Sequence, residues 1–290
     1  MGIINFLHKF EEPVASDYVN GVIIGADLRD LVNDEDDLII KNEWKLIEGK
    51  AFSKPGSLAS LIDTTDNGML VARPTDFQLY SVISRTSEKN YPLSRGLYNN
   101  MRIATVGSAL YSSDNKVLVH RRPVTATHIA NRYDGSVAGF VFNEDGRLDF
   151  RKAILSKLQR ELGFTEEELE KLKNNVEGYR LRITSIHNSP DLDFSGMVDF
   201  RIDVPLTFEQ LRVRANEKYM PESIGVDVAN LIDFVYNHFV NPKESEELIA
   251  DGVASLLSSL SYADFLKAVS HINKDKTRIN FKVLRNGVLL

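Results

Sequence analysis

The segment from Gly135 to Phe164 constrains the fold of this chain more than any other part of the sequence. It begins with an apolar, glycine-containing strand (Ser136–Phe142) and continues, after a turn, into an amphipathic helix. Apolar residues recur at helical spacing over Leu148–Leu162, which predicts a helix with one buried face. Gly163 predicts a C-terminal cap in the left-handed region, and the pattern of Thr165–Glu168 predicts a capping box that begins the next helix. The chain is therefore expected to turn a corner at Gly163.

The second half of this helix carries a family-like pattern. Residues Ala153–Phe164 read AILSKLQRELGF. They resemble the second half of the Nudix box, Arg-Glu-hydrophobic-x-Glu-Glu-x-Gly-hydrophobic, with Leu158, Glu161, Gly163 and Phe164 at matching positions. The chain is on this basis similar to the Nudix hydrolase superfamily. The resemblance implies an α/β fold, a Nudix-like α/β/α sandwich with a mixed sheet.

Three positions of the pattern carry different chemistry. Ser156 stands where the family has arginine, and Lys157 and Arg160 stand where it has two of its glutamates. The family's glutamates converge to hold divalent metal ions, which bridge a diphosphate and activate water. Residues spaced by three and four share one helix face, so the geometry of 157, 160 and 161 is preserved. Two bases beside one acid nevertheless disfavour a metal cluster of the usual type.

Each of these three residues has two interpretations. The resemblance implies that Glu161 is the catalytic residue and a ligand of Mg²⁺ or Mn²⁺; alternatively, it is a surface residue that pairs with Lys157 one turn earlier. Lys157 and Arg160 can bind phosphate directly in place of a metal, because cationic side chains donate strong hydrogen bonds to phosphate oxygens. Alternatively, they form a solvated helix face.

The loop before the helix fits the family pattern only if it contains an insertion. An insertion within 143–148 would align Gly139 with the family's glycine and make it a ligand-binding position. Glu144 and Asp145 would then supply further metal ligands. The sequence NEDG at this point is also typical of an ordinary solvated turn.

Two adjacent arginines, Arg121 and Arg122, end a predicted hairpin made of Ile103–Tyr111 and Val117–Arg121. They resemble the family's basic pair before its substrate-facing loop, which implies that they bind the ligand. The alternative is a pair of strand-end charges that contact nearby acids. The six histidines show no pair at metal-ligand spacing and are interpreted singly as structural or exposed residues.

Composition sets the broad class. The chain has 290 residues, 43% hydrophobic and 26% charged, the balance of an ordinary globular protein with a core and room for a second module. A net charge of −6 argues against general nucleic-acid binding. Without an apolar run of roughly 18 residues or a signal-peptide pattern, we expect a cytoplasmic protein with no membrane partner. The absence of cysteine excludes disulfides and thiol nucleophiles.

The chain is expected to divide into three parts: an N-terminal α+β module (1–98), the Nudix-like domain (99–240) and a helical C-terminal extension (241–290). The further predicted elements are a tight turn at 66–68, a strand over Phe77–Ser84, a linker over Ser87–Asn100, strands over Tyr179–His187, Ser195–Val204 and Ile279–Leu284, and helices over Thr207–Ala215, Val226–Val240, Lys243–Ser259 and Tyr262–Ile272.

The resemblance implies a protein that binds a nucleotide or another nucleoside-diphosphate-linked small molecule, with pyrophosphohydrolase activity weak, altered or lost. The alternative is a non-catalytic nucleotide-sensing or protein-interaction module. Apolar residues of the C-terminal helices are compatible with a homo-oligomer or with a buried core; they are Leu248, Ile249, Leu256, Leu257 and Leu260.

Overall fold

The computed structural model describes residues 4–46, 57–64, 70–87, 92–126, 129–189, 195–242, 247–274, 279–285 and 288–289. The strands are β1 (Ile4–Ala15), β2 (Gly21–Ile23), β3 (Ser57–Thr64), β4 (Leu70–Asp76), β5 (Ile103–Tyr111), β6 (Lys116–Arg121), β7 (Tyr133–Asp134), β8 (Gly139–Phe140), β9 (Arg147–Leu148), β10 (Arg180–Ser189), β11 (Ser195–Asp203), β12 (Glu222–Asp227), β13 (Ile279–Arg285) and β14 (Val288–Leu289). The α-helices are α1 (Asp34–Lys45), α2 (Phe77–Ser87), α3 (Arg95–Asn100), α4 (Phe150–Leu162), α5 (Glu166–Asn174), α6 (Phe208–Arg214), α7 (Leu231–Val235), α8 (Ala250–Ser258) and α9 (Tyr262–Asn273).

The chain has a mixed α/β fold built on one large sheet. The main path of the sheet runs β14-β13-β1-β10-β11-β5-β3-β4-β2-β9, and β6 joins β5 to β12 and β7 beside this path. β11 and β5 are parallel, whereas β10 and β11 are antiparallel. The short strand β8 pairs with β5 on the side away from β11. Strands β8, β5 and β11 therefore lie next to one another, and all three contribute residues to the site described below.

Helices cover both faces of the sheet. On one face, Ile154 and Leu158 of α4 are buried in a core with Phe200 of β11. On the other face, α7, α8 and α9 form a second core, to which α8 contributes Leu256 and α9 contributes Phe265. A third and smaller core lies among α1, α2 and α3. The mixed α/β class is thus established, and its assignment as a Nudix sandwich stays a prediction.

The corner at Gly163 is confirmed. The side chain of Asp149 caps the start of α4, and Gly163 ends the helix with φ 62°. Thr165 then forms the expected capping box with Glu168 at the start of α5. The hairpin is confirmed as well, because Leu110 of β5 pairs with Leu118 of β6 in antiparallel register.

Three element predictions were wrong. Residues 77–84 form helix α2 and not a strand, because Asp76 caps the helix by accepting a hydrogen bond of 2.8 Å from the backbone N–H of Leu79. The expected linker over 87–100 contains helix α3. The helix predicted over Val226–Val240 is replaced at its start by β12, which pairs with β6, so that α-helical structure begins only at Leu231.

The C-terminal apolar residues serve the core. Leu248, Ile249, Leu256 and Leu257 are all buried, and Leu260 packs against the second core. Helix α8 begins at Ala250, after an extended segment in which Leu248 bridges to Tyr133. The turn predicted at 66–68 and the residues 243–246 lie outside the described residues.

The three predicted parts contribute to one sheet. β1 from the N-terminal part pairs with β10 on one side and with β13 from the C-terminal part on the other. The division at 98 and 240 stays a prediction, and the fold adds that backbone hydrogen bonds cross both boundaries. Within the described residues, no helix combines the length and apolar character needed to cross a bilayer.

Candidate functional site

A cavity of about 380 Å³ is lined by residues of β5, β8 and β11, of α4 and of the start of α8. Its lining includes five of the residues singled out in the sequence, namely Arg122, Gly139, Lys157, Arg160 and Glu161. The fold thus brings the charged face of α4 together with the glycine of β8 and one of the two arginines. Arg121, Glu144 and Asp145 are not among the residues that line it.

Lys157 lies directly over Gly139. A Cβ atom built on Gly139 would be 2.0 Å from Nζ and 2.2 Å from Cε of Lys157, so any larger residue here would displace the end of this side chain. Burial lowers the pKa of Lys157 to about 8; Glu161 raises it, while Arg160 and Arg122 lower it further. Lys157 is therefore a largely protonated cation at neutral pH, and its ion-pair partner Glu161 is 3.9 Å away and closer to Arg160.

Glu161 lies between two cations. Its Oε1 is 2.5 Å from Nη2 of Arg160 and 3.9 Å from Nζ of Lys157, and its side chain is 8% exposed. The guanidinium of Arg160 also lies over the ring of Tyr219, with 4.7 Å between Cζ and the ring centroid. A carboxylate already neutralised by two bases is a poor ligand for a divalent cation.

The two arginines of the β6 terminus point to different neighbours, as consecutive strand residues do. Arg122 faces the cavity, and its Nη1 is 3.1 Å from Oδ2 of the buried Asp134. Arg121 instead pairs with Glu222 of β12 at 2.8 Å, and its guanidinium covers the ring of Tyr133. Of the two arginines predicted to bind a ligand, Arg122 lines the cavity, whereas Arg121 lies in a contact between strands.

Glu144 and Asp145 form a turn. Glu144 pairs with Arg147 through the backbone, and its carboxylate is 2.5 Å from Nζ of Lys152. Asp145 adopts a positive φ of 50° and is followed by Gly146 at 78°. This is the geometry of the solvated turn. In the part of the chain that the structure describes, no three acidic or histidine side chains come together in a way that could hold a metal ion. The residues present do not fit the Mg²⁺ or Mn²⁺ site that the resemblance implies.

Aromatic side chains form another wall of the cavity. Phe77 and Tyr80 of α2 both contact Phe140 of β8 edge to face, with ring centroids 5.8 Å and 5.3 Å apart. Phe142, which is 50% exposed, continues this wall. Phe77 and Tyr80 were not predicted to line a site, because their segment was predicted to be a strand.

The α8 side of the cavity contains Ser195 of β11 and Asp251 of α8. The hydroxyl of Ser195 donates to the carboxylate of Asp251 at 2.8 Å and 2.9 Å from its two oxygens. Behind Asp251 lies the fully buried His187, whose Nε2 is 3.3 Å from Oδ1 of Asp251. His187 Nδ1 is in turn 2.7 Å from Oδ2 of Asp199.

This buried network holds its histidine charged. Burial alone would lower the pKa of His187, but Asp199 and Asp251 raise it to about 10. Asp199 also accepts hydrogen bonds from Ser185 and Ser255, at 2.5 Å and 2.6 Å. No local sequence pattern indicates this network, because His187 is 12 residues from Asp199 and 64 residues from Asp251 along the chain.

The cavity lining has more basic than acidic side chains. Its cations are Arg122, Lys157, Arg160 and Lys218, and its carboxylates are Asp134, Glu161 and Asp251. Because Asp251 already faces the His187 cation, the basic groups are concentrated on the α4 side of the cavity. Such an arrangement favours an anionic ligand at that end.

No family model matches the chain, and no curated protein sequence matches it. Among solved structures, the chain is similar to the crystal structure of DR0079 from Deinococcus radiodurans, with 17% identity over 56% of this chain and 84% of that chain and a TM-score of 0.39. A similarity at this level assigns neither a fold family nor a function.

Proposed function

We propose that the cavity binds a nucleoside-linked small molecule through its diphosphate group, and that pyrophosphate hydrolysis is weak, altered or lost. The observation that carries the proposal is the position of Lys157, whose ammonium group lies over Gly139 inside a cavity that Arg122 and Arg160 also line. The one carboxylate paired with this buried ammonium group, Glu161, is shared with Arg160, so an anionic ligand would stabilise the charge of Lys157.

Arg122 and Arg160 suit phosphate oxygens because each guanidinium presents several donors in a planar fork. Each now contacts one carboxylate, Asp134 and Glu161 respectively. One guanidinium can hold a carboxylate and still donate from its remaining N–H groups. Both arginines can therefore bind a ligand without releasing their present partners.

The aromatic wall supports the nucleoside part of the proposal. Phe77, Tyr80 and Phe140 form one cluster of rings, and Phe142 adds an exposed ring face beside it. Stacking of a base on an aromatic side chain contributes roughly 1–3 kcal/mol and tolerates different bases. A cavity with basic and aromatic walls matches a ligand that carries both a diphosphate and a base.

The charge environment of Glu161 supports weak or lost hydrolysis. Metal-dependent attack on phosphorus requires carboxylates that hold the ion, and the only acid of the α4 face is paired with Arg160 and Lys157. This observation favours the second candidate function, a non-catalytic nucleotide sensor that uses the same cavity.

Calorimetric titration with inorganic pyrophosphate, nucleoside diphosphates and nucleoside diphosphate sugars tests the proposal. We expect Lys157→Gln to weaken pyrophosphate binding by about tenfold to a hundredfold, the usual worth of a hydrogen bond to a charged group. Lys152→Gln is the matched control, because Lys152 lies on the same helix, is 60% exposed and pairs with Glu144.

Equal affinities of the wild type and Lys157→Gln for every probe would overturn the proposal. Incubation of the same probes with Mg²⁺ or Mn²⁺ and measurement of phosphate release separates the two candidate functions. Binding without turnover supports the sensor, and turnover comparable to that of an efficient hydrolase would contradict weak or lost activity.

A further inference from the structure

We propose that Asp251 and Ser195 form a second subsite of the cavity, which binds the hydroxyl groups of a sugar, with His187 and Asp199 as positioning residues. This inference rests on the proposed function, because it assigns the sugar of the same ligand whose diphosphate lies at Lys157. It concerns the α8 side of the cavity and follows from which oxygen atoms of Asp199 and Asp251 already accept hydrogen bonds within the protein.

Asp199 is not accessible to a ligand. One of its oxygens accepts hydrogen bonds from both His187 and Ser185, and the other accepts one from Ser255. The residue is fully buried, and it does not line the cavity. Its role is to fix the ring of His187 through Nδ1, which leaves Nε2 directed at Asp251.

Asp251 differs because it lies at the cavity surface. Among the described residues, its Oδ2 contacts only Ser195, which shares a single hydroxyl proton between both carboxylate oxygens. A carboxylate has about four acceptor positions. Asp251 can therefore accept further hydrogen bonds from the cavity side, where its side chain is 11% exposed.

The chemistry of this wall selects neutral hydrogen-bond donors. A carboxylate accepts hydrogen bonds and repels phosphate, whereas the sugar hydroxyls of nucleotides are recognised by acidic side chains in other nucleotide-binding folds. Ser195 adds a hydroxyl that can accept as well as donate. The His187 imidazolium keeps the buried side of Asp251 neutralised, so the carboxylate does not need a cation from the ligand.

One cavity reaches both groups. Lys157 of α4 lies over Gly139 of β8, and Asp251 of α8 accepts a hydrogen bond from Ser195 of β11. All four residues line this cavity of about 380 Å³, a volume typical of small-molecule sites. A sugar attached to a diphosphate can therefore contact Asp251 while its phosphates contact Lys157.

The test uses three probes with wild-type protein and with Asp251→Asn: inorganic pyrophosphate, ADP-ribose and D-ribose. ADP-ribose offers sugar hydroxyls on both sides of its diphosphate, whereas pyrophosphate has none. We expect Asp251→Asn to weaken ADP-ribose binding by about tenfold or more and to change pyrophosphate binding by less than about twofold. D-ribose at millimolar concentration is expected to shift the NMR signals of the His187 ring in the wild type and not in the variant.

Two further variants separate the subsite from the stability of the network. Ser195→Ala, which removes a cavity-lining hydroxyl, should weaken ADP-ribose binding severalfold. Ser185→Ala is the control, because Ser185 contacts Asp199 without lining the cavity, and it should leave the affinity unchanged. Ser195→Ala also provides the readout if Asp251→Asn does not fold.

The outcomes distinguish the two proposals. If pyrophosphate binds and ADP-ribose affinity is the same in the wild type, Asp251→Asn and Ser195→Ala, the hydroxyl subsite is overturned and the diphosphate site stands. If pyrophosphate fails to bind but D-ribose shifts the His187 signals only when Asp251 is present, the subsite stands and the proposed function fails. If none of the probes binds the wild type, both are overturned.

Discussion

The two charged walls of the cavity differ in how their buried charges are paired. On the α8 side, the His187 cation lies between the carboxylates of Asp199 and Asp251, and each charged group has a close partner of opposite sign. On the α4 side, Lys157 is buried with its nearest carboxylate 3.9 Å away, and that carboxylate is closer to Arg160. The first wall is balanced within the protein, whereas we propose that an anionic ligand completes the second.

A binding site and a structural network can contain the same residue types and still differ in how their buried charges are offset. Buried ion pairs are retained only when geometry and further hydrogen bonds offset the loss of hydration. The Asp199 network meets this condition with two serines. The α4 wall does not meet it alone, which is why we assign the ligand's negative charge to that wall.

The largest expected effect comes from breaking the balanced wall. Asp199→Asn removes one carboxylate and leaves His187 and the neighbouring buried Lys9 without its charge. We expect the free energy of unfolding to fall by about 3–5 kcal/mol, as for other broken buried pairs. Urea denaturation measures it, and Ser185→Ala, which removes one neutral donor, should cost only about 1 kcal/mol. Similar losses in the two variants would show that Asp199 does not balance buried charge.

The next effect concerns pH. The pKa of His187 rises from 6.5 to about 10 in the folded protein, so its stabilisation is complete below pH 6.5 and is lost as the pH approaches 10. Lys9 and Lys157, whose burial lowers the pKa to about 8, act with the opposite sign only above that pH. Between pH 6.5 and 8 the free energy of unfolding should therefore fall by up to ~1.4 kcal/mol per pH unit.

The matched variant for this measurement is His187→Gln combined with Asp251→Asn. It removes one cation and one anion together, so the charge balance of the remaining Asp199 and Lys9 is kept. Urea denaturation at several pH values should give a flat profile between pH 6.5 and 8 for the double variant. An equal slope in both proteins would assign the pH dependence to groups other than His187.

The smallest expected effect on stability comes from Gly139→Ala. The new methyl group would collide with the ammonium end of Lys157, and a flexible side chain can move away, so the free energy of unfolding should change by less than about 1 kcal/mol. Pyrophosphate affinity should nevertheless fall about tenfold, because Lys157 is displaced from the cavity. Gly96→Ala in α3 is the control, since a Cβ there meets open space. Unchanged affinity in Gly139→Ala would show that Lys157 binds equally well elsewhere.

Local signals predicted the frame of the site. The end of α4 at Gly163 and the capping box at Thr165 follow from backbone chemistry that a few neighbouring residues determine. The shared face of Lys157, Arg160 and Glu161 follows from helical spacing, and all three line the cavity.

The rest depends on contacts that no local pattern encodes. Phe77–Ser84 has the aromatic and branched residues of a strand, but the cap at Asp76 and burial against neighbouring helices determine a helix. The pairing of Asp251 with His187 joins α8 to β10 across 64 residues, and only the assembled sheet brings them together. An insertion in the preceding loop would bring Glu144 to the site, but the turn found there places its carboxylate against Lys152.

The most direct test of the account is the titration of Lys157 itself, followed by NMR of ¹³C-labelled lysine and assigned with Lys157→Gln. The account predicts that the Lys157 signal has a pKa of about 8 in the free protein and that saturating pyrophosphate raises this pKa, because a bound anion favours the charged form. A pKa near the ordinary lysine value of 10.5 in the free protein, or one of about 8 that pyrophosphate leaves unchanged, would contradict the assignment of Lys157 as the ligand's cation.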